Sequence, residues 1–362
     1  MIVACGGSGG GDPGPTPPVD SGSGDSTLPV DSTPSDSGVD SATDSAIDST
    51  LDSGLDSAID SAIDSGVDSA EVDPCVARCP SGLCNPDGSC AECKLSSDCA
   101  SSVPHCDLTT HRCVACLVPA DCTTPGQTCC SNACTDVTKD EKNCGACGVA
   151  CTASEFCTKT ACKTMVLSNL CANPTASVIS DGLSGDDATG VSLGNAFRAC
   201  TPAPTVRTVS QDAAGILDPT SGKPLLGPGD TFVAPGGPFG QKGIKYIEKG
   251  ISPVFFKDDG TNASWVNRAT GATLVSWPDT TDMHHDFFVV ELSKDSTTGT
   301  LVFEMFASWG WGTVAGGWWV QNKVFTALST FGKQWYVVEW TDKNADTLPD
   351  AGDDFAITAS GP

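Results

Sequence analysis

The residues best suited to chemistry lie near the C-terminus, in the segment 342–353. Oxygen-bearing side chains recur there at positions 1, 3, 5, 9 and 12: Asp342, Asn344, Asp346, Asp350 and Asp353. Calcium takes six to eight oxygen ligands, and alternate residues of a tight loop can converge on one point. The segment therefore predicts a structural calcium site formed by these five side chains and the carbonyl of Leu348. The alternative is a solvated acidic turn.

The spacing of this segment resembles thrombospondin type 3 repeats and, less closely, EF-hand loops. It departs from both at the sixth position, where Thr347 replaces the usual glycine. This departure is expected to weaken the site or to change its geometry.

Two histidines and three glutamates are the other candidates. His284 and His285 could bind a transition metal or act in acid–base chemistry. Adjacent residues of an extended segment point in opposite directions, so the two rings are not expected to share one ion. Glu291, Glu304 and Glu339 each stand in an otherwise apolar strand. Paired carboxylates across a sheet would suit glycoside hydrolysis, but a single Glu on a sheet with one wet face is expected to face solvent.

Four tryptophans beside glycines form the last candidate site: Trp309, Trp311, Trp318 and Trp319. Exposed tryptophans can make a flat platform for sugar rings or a partner surface. The alternative is that they belong to the core of the domain.

These candidates fall in a domain predicted for residues 163–362, which holds all eight tryptophans. Segments rich in Val, Phe, Trp and Thr, bounded by turn residues, predict strands at 251–257, 272–277, 286–292, 300–307, 334–340 and 354–358. One helix is predicted near 318–329, and 181–243 is rich in Gly and Pro and is expected to be irregular. We predict a mainly antiparallel β-sandwich, with Cys171 paired to Cys200.

A cysteine-rich segment precedes this domain, with 18 of the 21 cysteines between residues 75 and 162. Cys90, Cys93, Cys99 and Cys106 recur 23 residues later, which indicates a tandem structural unit. Large apolar residues are scarce, so disulfides or metal must hold this segment together. The spacing also fits a four-cysteine zinc site, but zinc would leave several cysteines unpaired. Disulfides, and hence an oxidising compartment, are favoured.

The second half of the cysteine-rich segment resembles a known family. Cys129-Cys130, Cys134, the run Asn143-Cys144-Gly145-Ala146-Cys147-Gly148, and Cys151, Cys157 and Cys162 are similar to the stigma-specific protein family, which also occurs in bacterial surface lipoproteins of the myxobacterial kind. The resemblance covers residues 129–162. It implies a small extracytoplasmic module with no catalytic residues.

The N-terminal part is expected to be a tether. Within residues 6–74, Asp-Ser recurs every four residues from Asp36 to Asp68. Like charges four apart disfavour a helix, and the composition is typical of a disordered spacer. Residues 1–5 end in Ile-Val-Ala-Cys, which resembles a bacterial lipobox with Cys5 as the lipidated residue. The rest of a signal peptide would then lie upstream of Met1.

The net charge of −26 disfavours binding to nucleic acid or to anionic membrane surfaces. No segment is long and apolar enough for a transmembrane helix, so any membrane contact is expected through the lipid anchor alone. We interpret the sequence as a bacterial cell-surface or outer-membrane lipoprotein with a non-enzymatic binding or adhesion role, towards carbohydrate or another surface protein. The alternatives are a tethered hydrolase of the glycosidase kind and a purely structural envelope protein.

Overall fold

The computed structural model describes residues 78–362 except 80, 160, 238 and 239. The predicted lipidation site at Cys5 and the predicted stalk at 6–74 lie outside the described residues. None of the helices in the described part is long and apolar enough to cross a membrane.

Three antiparallel hairpins form the cysteine-rich segment. Their strands are β1 (His105–Asp107) with β2 (Arg112–Val114), β3 (Gln127–Cys130) with β4 (Ala133–Asp136), and β5 (Glu155–Thr158) with β6 (Ala161–Thr164). Each hairpin places two cysteines directly opposite each other, and both bond to cysteines of the preceding loop. The resulting pairs are Cys93–Cys106 and Cys99–Cys113, Cys116–Cys129 and Cys122–Cys134, and Cys144–Cys157 and Cys151–Cys162.

The tandem unit predicted from the cysteine spacing therefore occurs three times among the described residues. The third copy was not predicted, because its cysteines do not follow the 23-residue spacing. Two further disulfides join Cys79 to Cys90 and Cys130 to Cys147. Asp98 and Asp121 stand 23 residues apart, at equivalent positions of the first two units. Each accepts two backbone N–H groups from the residues just before a short 3-10 turn, at 2.7–3.0 Å. Disulfides at this density indicate an extracellular or secreted protein.

The C-terminal domain is mainly β, as predicted. Its strands are β7 (Thr175–Ser180), β8 (Thr205–Ser210), β9 (Asp230–Pro235), β10 (Val254–Asp258), β11 (Asn262–Asn267), β12 (Thr273–Pro278), β13 (His285–Lys294), β14 (Leu301–Ala307), β15 (Trp335–Thr341) and β16 (Asp354–Gly361). A seven-stranded sheet has the order β16-β15-β13-β14-β9-β7-β8, and β10-β11-β12 form a second sheet. All six strands predicted from sequence are present.

Most strand pairs of the domain are antiparallel, as predicted, but the large sheet is mixed and its parallel part was not predicted. Strands β14, β9, β7 and β8 run parallel to one another. The three-stranded sheet and α2 (Lys242–Ile247) cover one face, and α1 (Ser184–Arg198) and α3 (Gly310–Trp319) cover the other. A π-helical turn, Val320–Val324, continues α3.

The prediction of one helix near 318–329 was wrong in number and position. Helix α1 was missed because its glycines lower helix propensity. Those glycines serve packing, since a Cβ on Gly190 would lie 3.2 Å from Val178 of β7. Cys171 and Cys200, at the two ends of the β7–α1 segment, are joined by a disulfide with their Cα atoms 5.5 Å apart.

The third cysteine-rich unit is packed against the C-terminal domain. Phe156 is 2% exposed and belongs to the same core cluster as Leu167 and Phe303. Lys294 of β13 donates to the carboxylate of Glu141 at 2.6 Å. No linker separates the two segments at residue 162.

Candidate functional site

The acidic loop predicted to bind calcium joins β15 to β16. Asp342 stands at its start with a side chain that is 0% exposed, and its carboxylate accepts backbone N–H groups of Asn344, Ala345 and Thr347. Burial opposes ionisation of Asp342, but the hydrogen bonds from His284 and the loop hold its pKa below the usual value. The loop is thus wound around its first carboxylate.

The backbone at the sixth position has the conformation that glycine usually supplies. Thr347 has φ of +65° and Ala345 has +57°, in the left-handed region that β-branched residues avoid. Thr347 departs from the calcium-loop pattern in residue type, but its backbone has the left-handed conformation that the turn requires.

The remaining ligand candidates are engaged within the loop. Asn344 donates to the carboxylates of Asp346 and Asp350, and Asp353 accepts from the Trp340 indole. Among the described residues, three clusters of three His, Cys, Asp or Glu residues have their ligand atoms within 4.8 Å of one another. Each of these clusters consists of disulfide-bonded cysteines. The donor set suits calcium chemically, and calcium binding stays a prediction.

A pocket of about 370 Å³ lies beside the loop. Its lining comes from three distant parts of the chain: Gly185 of α1, Gly310, Trp311 and Val314 of α3, and Thr347 and Leu348 of the loop. Trp311 is 36% exposed and Leu348 is 63% exposed. The pocket thus presents an aromatic and an aliphatic side chain to solvent, next to the candidate calcium ligands.

The four candidate tryptophans do not share one surface. Trp311 opens on the pocket, whereas Trp319 is 3% exposed in the core. Trp318 stacks on Phe355 at 5.2 Å, and the Trp309 indole N–H is buried without an acceptor in the described part. Of the four, only Trp311 lines this pocket.

The first turn of α3 is held by Asp286, at the start of β13. Its carboxylate accepts the Ser308 hydroxyl at 2.6 Å and the Trp309 N–H at 3.1 Å. Burial raises the pKa of Asp286 to about 6 against these hydrogen bonds. A Cβ on Gly312 would lie 2.1 Å from this carboxylate, so glycine is required there.

The two histidine rings have different partners, and His284 lies in a turn just before β13 begins at His285. His284 Nδ1 lies 2.7 Å from Asp342, and His285 Nε2 lies 2.8 Å from Glu339. His284 is therefore bound to the first carboxylate of the acidic loop, and His285 forms a separate, partly exposed pair with Glu339.

Glu291 and Glu304 are both 0% exposed, so the expectation that they face solvent was wrong. The physical reason is that both faces of the large sheet are covered, one of them by the three-stranded sheet. Glu339 alone of the three glutamates is partly exposed.

Sequence reasoning missed a pair of carboxyl groups near the pocket. Asp186, in the first turn of α1, is 8% exposed. Burial raises its pKa to about 7, and a hydrogen bond with Asp181 adds to the rise. A Cβ on Gly236 would lie 2.2 Å from the Asp186 carboxylate. The run Asp181-Gly182-Leu183-Ser184-Gly185-Asp186, directly after an apolar strand, was the signal available in the sequence.

No family model matches this chain, and the search of curated proteins also found no match. The resemblance of residues 129–162 to the stigma-specific family stays a prediction.

Proposed function

We propose that this protein is an extracytoplasmic surface lipoprotein whose C-terminal domain binds carbohydrate without catalysis. The observation that carries the proposal is the pocket in which Trp311 and Leu348 stand exposed beside the acidic loop. Aromatic faces bind the apolar faces of sugar rings, and concave sites lined by apolar side chains with a few polar groups are typical of ligand binding. A surface protein is the other class of partner.

Calcium would act on this pocket through the loop. The proposed ligands are Asp342, Asn344, Asp346, Asp350 and Asp353, with the Leu348 carbonyl. Leu348 would thus take part in both the ion site and the pocket wall. The ion would neutralise repulsion among the loop carboxylates and fix the position of the Leu348 side chain.

The remaining parts would present the domain away from the membrane. In the proposal Cys5 carries the lipid, residues 6–74 form the tether, and the cysteine-rich units form a rigid neck. The many disulfides support an exported protein, and the outer membrane or cell surface is the proposed location.

The test is a titration of the full chain with soluble polysaccharides and cell-envelope extracts, followed by tryptophan fluorescence in calcium and then in chelator. We expect saturable binding that weakens in chelator. Trp311→Ala should weaken binding more than tenfold, because truncating a central aromatic anchor costs about 2 kcal/mol or more.

Trp318→Phe is the matched control, since Trp318 lies two helical turns further along α3 and stacks on Phe355. It should leave the affinity unchanged. Equal affinity for the Trp311→Ala variant and the unchanged chain would refute this pocket as the binding site. Binding that is identical with and without chelator would refute the role of calcium.

A tethered hydrolase is the second candidate, because Asp181 and Asp186 form a carboxyl pair next to Gly185 of the pocket. A carboxyl group whose pKa is raised to about 7 can serve as a general acid beside a second carboxyl group. Release of reducing sugar from a bound polysaccharide, lost in Asp186→Asn, would favour the hydrolase. Binding without any release would favour the binding protein.

A further inference from the structure

Glu291 and Glu304 face each other across β13 and β14. Their Cα positions are directly paired in the antiparallel register, and both side chains are 0% exposed. They lie on the sheet face that also carries Val289 and Phe306, which pack against the three-stranded sheet. Two carboxyl groups are therefore enclosed between the two sheets.

The hydrogen bonds around the pair are unequal. Glu291 accepts the Ser252 hydroxyl at 2.5 Å and the Val254 N–H at 3.1 Å. Neither carboxyl oxygen of Glu304 has an N–H or hydroxyl donor among the described residues. The carboxyl group of Glu291 stands opposite it in the register. Two buried carboxyl groups that face each other repel as carboxylates and can hydrogen-bond to each other only if at least one is protonated. A proton shared by the pair would satisfy Glu304.

The surrounding charges do not remove the need for that proton. Glu248, at the end of α2, adds a third carboxyl group and accepts the Phe256 N–H at 2.9 Å. Among the described residues, Arg268 is the cation that lowers the pKa of both members of the pair, and its guanidinium donates to the backbone carbonyls of Ser252 and Glu248. The strands that flank the pair, β9 and β15, place the uncharged residues Ala234 and Trp335 opposite Glu304 and Glu291.

These contacts join the large sheet to residues 248–268, which lead into and through β10 and β11. We propose that the proton shared by Glu291 and Glu304 acts as a latch that holds the three-stranded sheet on the seven-stranded sheet and releases it as the pH rises. Loss of the proton would leave two facing carboxylates in a dry layer. Their repulsion and their need for water favour separation of the sheets.

The direction of the pH dependence follows from proton linkage. Burial raises the pKa of Glu291 to about 7 and that of Glu248 to about 8, and it raises the pKa of Glu304 well above the usual value. The closed state therefore binds more protons than the open state at any pH between the usual carboxyl range and these values. For each proton that the closed state retains and the open state loses, the equilibrium constant for opening rises about tenfold per unit increase in pH. With two such protons it rises about a hundredfold. The latch is strongest at mildly acidic pH.

The test is hydrogen exchange of the full chain between pH 5 and pH 7, below the raised pKa values of the buried carboxyl groups, with rates corrected for the intrinsic effect of pH. With each unit increase in pH, the protection factors in residues 254–278 should fall at least tenfold more than the protection factors in β7 and β8. Equal steepness in both regions, or protection that is independent of pH, would overturn the latch.

The Glu304→Gln variant separates the shared proton from mere packing. An amide keeps the shape, can donate to Glu291 and does not titrate in this range. In this variant the fall in protection at residues 254–278 should be about tenfold smaller per pH unit than in the unmodified chain, because one titrating proton is removed. Glu339→Gln, which changes a partly exposed Glu of β15, should keep the full slope. A full slope in Glu304→Gln would overturn the proposal, and the profile of the unmodified chain decides the matter if that variant does not fold.

Discussion

Removal of the Phe156 ring should destabilise a domain to which this residue does not belong in sequence. Phe156 comes from the third cysteine-rich unit, but it is 2% exposed within the main core of the C-terminal domain. Replacing a buried Phe by Ala costs about 3–5 kcal/mol, through lost transfer free energy and the cavity left behind. Because domains of this kind are stable by about 5–15 kcal/mol, Phe156→Ala should lower the free energy of unfolding by a large fraction.

The assay is urea unfolding without reductant, followed by tryptophan fluorescence. All eight tryptophans lie beyond residue 163, so the signal reports the C-terminal domain while the substitution lies outside it. Val149→Ala is the control, because Val149 belongs to the same unit and is 47% exposed. It should change the free energy of unfolding by less than about 0.5 kcal/mol. A loss below about 1 kcal/mol in Phe156→Ala would show that the cysteine-rich unit and the domain unfold independently.

Three further substitutions test local features through the same unfolding measurement. Thr347→Gly should stabilise the chain by about 0.5–1 kcal/mol. Glycine removes the cost of the left-handed backbone, about 1–2 kcal/mol for other residues, but it also increases the entropy of the unfolded chain, which offsets part of this gain. Lower stability would contradict the strain. Lys294→Met should cost about 1–3 kcal/mol by removing a donor that is 6% exposed, and an unchanged urea midpoint would contradict this. Gly317→Ala should cost about 1–3 kcal/mol, because its Cβ would lie 2.7 Å from Thr189. Gly310→Ala, which meets open space, should cost nothing.

The sequence predicted those strands that contain large β-branched and aromatic residues in short runs between turns. It missed β7, β8, β9 and β11. Strand β7, Thr175–Ser180, is built largely from small residues, since α1 lies close against it. Intrinsic propensity is a weak guide where tertiary packing selects small side chains.

The buried carboxyl pair was within reach of sequence reasoning, but only in part. The loop between β13 and β14 spans residues 295–300, and Glu291 and Glu304 are equally distant from its centre between Thr297 and Thr298. That symmetry predicts a facing pair once the register is known. Their burial could not be predicted, because it depends on the second sheet, which comes from a separate stretch of chain.

The pocket could not be found from sequence because its parts meet only through the sheet order. Helices α1 and α3 begin directly after β7 and β14, which run in the same direction. Strand β15 is antiparallel to β13, and β13 is antiparallel to β14, so β15 runs in that direction as well. The acidic loop after β15 therefore emerges at the edge of the sheet where both helices start. In sheets with parallel strands this edge, beyond the carboxyl ends, is where ligands bind. That topology supports the pocket beside Trp311 as the candidate site. The partly exposed pair of His285 and Glu339 lies at the same edge but does not line the pocket.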